Sequence, residues 1–161
     1  MKTVSALVIF FITTSFLFVG RTYAQSSQQG INSFMILPKV FTLGDHSSKY
    51  EELMPGYQSL LEACEGDMQV AHKKLYSMMK EMEAFAKVVD FDLDGVKAWM
   101  HFFFKSDGSI QHIGFHLKPN SRNVDTQKVN TFLKNFSKQY TFPINTDLPF
   151  SHYSTFSFPV F

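Results

Sequence analysis

Apolar positions along the chain recur at a helical period from 68 to 89, at a period of two from 96 to 118, helically again from 126 to 139, and at a period of two near the end. In the first stretch Ala71, Leu75, Met78, Met82, Phe85 and Ala86 share one face, and Lys73, Lys80, Glu81 and Lys87 lie opposite. Gly66 ends the preceding segment. Asp67 is placed to cap this helix, because its carboxylate accepts the free N–H groups of the first turn. From 126 to 139, Val129, Phe132, Leu133 and Phe136 form the apolar face, with Asp125 as the cap.

Between these helices, Val96, Ala98, Met100 and Phe102 alternate before an Asp107-Gly108 turn, and Ile113, Phe115 and Leu117 alternate after it. A two-residue loop pairs Phe102 with Ile113, Met100 with Phe115 and Ala98 with Leu117. A three-residue loop slides the strands by one and mixes the faces, so the apolar pattern rejects that slip. Ile110 joins the core face only if a bulge near the turn shifts the parity. Residues 49–65 read as a short helix interrupted by Pro55-Gly56, with Leu60 and Cys64 on its inner side. Residues 31–43 read as an extended segment on the domain edge, and 155–161 as a final strand that Pro159 makes an edge strand or limits as its last pairing position. The pattern predicts an α+β domain, an N-terminal helical segment packed on a small antiparallel sheet of ββαβ order.

Length and composition narrow the setting. The 161 residues allow one ordinary domain. Residues 1–24 combine Lys2, an apolar run and a small-residue end at Ala24, the order of a signal peptide cleaved before Gln25. An uncleaved anchor is the rival reading, but Thr13, Thr14 and Ser15 interrupt a run shorter than the roughly 20 residues of a spanning helix. The expected organisation is therefore a leader at 1–24, an extended or poorly ordered lead-in at 25–48, and a single domain at 49–161, helical over 49–89. The expected product is exported, periplasmic or at the cell surface, without a membrane span after cleavage. Its 15 basic residues fall to 13 without Lys2 and Arg21, against 14 acidic ones, and form no stripe for nucleic acid. Cys64 stands alone, so packing rather than a disulfide must hold the fold, and nineteen Phe residues can supply that packing.

Several patterns suggest chemistry. Asp90, Asp92, Asp94 and Gly95 copy the opening of a calcium loop, but its eighth position is Lys97, its twelfth is His101, and it leads into a strand. His112 and His116 share one face with Trp99, His101 and Phe103. The two histidines lie about 13 Å apart along a strand, too far to share a metal directly. Met68, Met78, Met79 and Met82 with His72 could suggest copper, yet they fall on a core stripe where methionine is a filler. Ser151-His152-Tyr153 offers only sequence neighbours, and the chain has no nucleophile elbow. No cofactor is expected.

With the order strand, Asp-Gly hairpin, strand, helix, strand in place, residues 96–161 resemble the C-terminal domain of TonB-type periplasmic energy transducers. The resemblance rests on Asp107-Gly108-Ser109-Ile110 with Ile113 and Phe115, on Asn123-Val124-Asp125 opening the helix, and on Phe156-Ser157-Phe158-Pro159-Val160-Phe161 at the end. It implies recognition of a protein partner by strand addition at a sheet edge. The favoured reading is thus an exported, non-catalytic protein-interaction domain, using either that terminal strand or the face of Trp99, His101, Phe103, His112 and His116. Second comes a binder of small apolar ligands, with a pocket between Met78, Met82, Phe85 and the hairpin. An enzyme is third.

Overall fold

The hairpin of β3 (Lys97–Phe104) and β4 (Ile110–Leu117) has the register that the apolar alternation predicts, with Phe102 opposite Ile113, Met100 opposite Phe115 and Ala98 opposite Leu117. Its turn reaches that register by another route. Lys105 N–H donates to Ser109 O and Gly108 N–H to Lys105 O, so the loop holds three residues, Ser106, Asp107 and Gly108. Phe104 then pairs with Ile110, and a bulge beyond it restores the register for the rest of the hairpin. Gly108 takes φ +79°, and a Cβ there would meet Phe142 O at 2.1 Å. Only glycine fits this turn as it is packed.

The computed structural model describes residues 37–160. Ahead of the hairpin come β1 (Val40–Thr42), α1 (Ser47–Leu53), a 3-10 turn (Met54–Gly56), β2 (Gln58–Ser59), α2 (Leu60–Ala63) and α3 (Met68–Val88). After it come α4 (Thr126–Gln139) and β5 (Phe150–Ser157). The five strands form one sheet in the order β1-β4-β3-β5-β2.

This corrects the expected N-terminal helical segment on a small antiparallel sheet of ββαβ order. The sheet is mixed and has five strands, because β1 pairs parallel to β4 and β2 pairs parallel to β5. β1 and β2 have three and two residues, too few to display a period of two. The single helix read over 49–65 is broken by Pro55, and its middle becomes strand β2. β5 also begins five residues before the expected 155, because Ser151, His152 and Ser154 hide the alternation of Phe150 with Phe156.

The two long helices begin where their caps predict. Asp67 accepts from the N–H groups of Gln69 and Val70, and Asp125 from that of Gln127. Both helices lay their apolar stripes on the sheet face carrying Met100, Phe102, Phe104, Ile113, Phe115 and Phe156, which forms the core. Met78 and Met82 have no accessible surface, so no water-sized space adjoins them. Met78 and Met82 lie in one buried cluster with Phe102 and Phe104 of the hairpin, where the second reading expected a pocket.

Candidate functional site

The residues that alternation sends away from the core are Trp99, His101, Phe103, His112 and His116, and pairing places all five on one face of β3 and β4. That face is divided. α1 and the 3-10 turn lie over one half: Tyr57 meets the ring of Phe103 edge-on at 5.0 Å, and Tyr50 shares a 2.8 Å hydrogen bond with His101 Nδ1. Phe103 is fully buried and His101 keeps 6% of its surface. His112 Nδ1 lies 3.0 Å from Pro38 O, beside the entry to β1. In the other half, Trp99 stacks on the exposed His116 at 5.9 Å, with Lys118 Nζ 5.2 Å from its ring centre.

His101 is the electrostatic centre of the covered half. Its ring stacks on Phe103 at 4.0 Å and meets Tyr153 edge-on at 5.6 Å. Burial, with His152 as a second influence, pushes the imidazole down to about 4, so it is neutral at physiological pH. Burial likewise raises the Tyr50 hydroxyl. Beside this pair α1 leaves a cleft of about 510 Å³ against the sheet, walled by Leu43, Tyr50, Met54, His101 and Tyr153. Gly114 makes room for the wall, because a Cβ there would stand 2.6 Å from Leu43 Cδ2 and about 3 Å from the Phe41 ring. Sequence reasoning missed Tyr50 and Tyr153, which lie 51 positions before His101 and opposite it on β5, respectively.

The cleft runs toward an unfinished edge. β3 pairs with β5 along all eight residues of each, whereas β2 pairs only with Phe150 and Ser151. Among the described residues, 152–157 therefore have no strand on their outer side. Phe158 N–H donates to Val96 O on the β3 side, and Pro149 O accepts from Gln58 N–H on the outer side. Alternation then turns the even-numbered amides of β5 toward β3 and the amides of Tyr153, Thr155 and Ser157 outward. No Lys, Pro or acidic residue guards residues 152–157, the usual devices that keep a sheet edge from pairing. Alternation around Phe156 combined with the pairing parity of 96–104 could have revealed this edge, had the start of β5 been legible.

The Asp92 carboxylate accepts from Asp94 N–H and is paired with the Arg122 guanidinium, which together keep its pKa below the ordinary range. Among the described residues no three His, Cys, Asp or Glu side chains are grouped to hold a metal ion. Met78 and Met82 are interior, while Met68 is 64% exposed. Ser151 pairs opposite Phe103 on the far face and His152 opposite Phe102 on the core face, so these neighbours point apart. Cys64 is buried in the core, and burial raises its thiol pKa. No helix among the described residues is long and apolar enough to cross a membrane. The expected leader over 1–24 lies outside the described residues. Compared with known proteins, the chain matches no family model, no curated protein and no solved structure.

Proposed function

We propose that the chain is an exported, non-catalytic recognition domain that takes an extended segment of a partner protein onto the outer edge of β5. The observation that carries this reading is the run of outward amides at Tyr153, Thr155 and Ser157, bounded on one side by the short β2. Backbone hydrogen bonds along such an edge supply affinity, and alternate side chains supply specificity. The resemblance of 96–161 to TonB-type C-terminal domains implies the same mode. The full burial of Met78 and Met82 lends the small-ligand reading no support.

A proline at position 155 tests this directly. Its missing N–H faces outward, so Thr155→Pro removes an edge donor while leaving the β3 ladder intact. Displayed random peptides long enough to span 152–157, selected on the full chain, should bind and should be lost on Thr155→Pro with the fold retained by circular dichroism. Peptides that bind the variant as well as the parent chain would refute strand addition.

A further inference from the structure

The cleft beneath α1 and the open edge of β5 share a wall, Tyr153. Phe41, Gly114, His101 and Tyr153 form one row across the far face, and the side chain of Leu43, two residues beyond Phe41, leans over Gly114. His101 pairs with both Gly114 and Tyr153, and Leu43 N–H donates to Phe115 O next to Gly114. A strand added to β5 extends this row by one residue, whose side chain emerges on the same face as Tyr153. Directly opposite residues in a strand pair hold their Cβ atoms about 5 Å apart, and long or aromatic side chains also reach the diagonal neighbours. A residue opposite Tyr153 thus stands at the open end of the cleft.

We infer that the added segment carries an aromatic or long aliphatic side chain at the position opposite Tyr153, and that this side chain enters the cleft. The inference rests on the strand-addition reading and names the chemistry of its partner. Leu43 and Met54 make the walls apolar, Tyr50 and Tyr153 offer ring surface, and His101 is a neutral imidazole already engaged with Tyr50. Met54 is 39% and Tyr153 52% exposed, so both leave apolar surface that an inserted side chain would cover. An acidic side chain would face Glu51 at the mouth. A basic one would give up hydration against Leu43 and Met54 without a buried counter-charge.

A second copy of the chain fits this position poorly. In an antiparallel two-fold pairing of β5 with itself, odd positions oppose odd positions. Setting Tyr153 against Tyr153 carries Thr155 and Ser157 of each copy across Ser151 and Pro149 of the other, where β2 is already bound. Setting Thr155 against Tyr153 still carries Ser157 across Ser151, the shift that clears β2 places Ser157 opposite Tyr153, and neither side chain fills the cleft. The register therefore favours a different chain.

The test uses the same peptide selection. Selected peptides should share one aromatic or long aliphatic position with tolerant neighbours, and alanine at that position should weaken binding about tenfold or more. Glu51→Trp, which closes the mouth of the cleft, should make the parent and alanine peptides bind alike. Peptides that are lost on Thr155→Pro but share no apolar position would leave strand addition standing and overturn this inference. Peptides insensitive to Thr155→Pro, or failure to select any, would overturn both. A concentration-dependent dimer of the full chain, abolished by Thr155→Pro and excluding peptides, would make a second copy the occupant and also overturn it.

Discussion

His101 is an imidazole that folding keeps from protonating. Unfolded, it binds its proton near 6.5; folded, it does so near 4. Between these values the unfolded state holds more protons, so stability is complete above 6.5 and falls as pH drops toward 4. Burial lowers His152 as well, in the same direction. The loss attributable to His101 should be on the order of 2 kcal/mol after allowance for solvent screening. Glu62, Asp92 and Asp107 are lowered carboxylates whose contributions are lost only as pH falls through and below the ordinary carboxylate range, about 4, which leaves the higher window to the histidines. Urea unfolding at pH 7 and pH 4.5 should show this loss, and His101→Phe should flatten the dependence. Equal stability of the parent chain at both values would contradict it. Gly114 makes a second residue-level prediction. Gly114→Val should destabilise by about 1–3 kcal/mol in thermal unfolding, because Leu43 and the Phe41 ring occupy the space of its side chain. The facing of His101 was legible from alternation around Asp107-Gly108. Its bond to Tyr50 was not, since no local pattern links residues 51 positions apart.

Among the elements, α3 and α4 could be read because each repeats its apolar step over several turns and opens on an aspartate cap. Asp67→Ala should lower stability by about 1 kcal/mol, measurable by urea unfolding, since two first-turn N–H groups lose their acceptor. β5 was only partly legible. Its polar residues fall on both faces, and Ser154 and His152 occupy core-side positions where an apolar residue would have signalled a strand. A pair of prolines checks the assignment of its amides. Ser154→Pro removes a donor from the β3 ladder and should unfold the chain at a markedly lower temperature, whereas Thr155→Pro should change the midpoint little. Similar midpoints for the two variants would mean that the alternation of β5 has been assigned wrongly. α1 has no buried residue and rests on the sheet through Tyr50, at the border of the cleft.

For the whole molecule, the sequence pattern identified a hairpin and two long helices that pack against its core face, but not the assembly of the sheet. Two parallel pairings made by strands of three and two residues decide which edges are closed, and such short strands carry no periodic signal. One of them, between β2 and β5, ends at Ser151 and among the described residues leaves the rest of β5 unpaired on its outer side. The proposed strand addition depends on that edge. Residue-resolved amide exchange on the full chain, free and with a selected peptide, tests it most directly. The amides of Tyr153, Thr155 and Ser157 should exchange rapidly in the free chain and become protected on binding, while those of Ser154 and Phe156 stay slow throughout. Odd-numbered amides that are already slow in the free chain, or that remain fast when peptide is bound, would contradict the account.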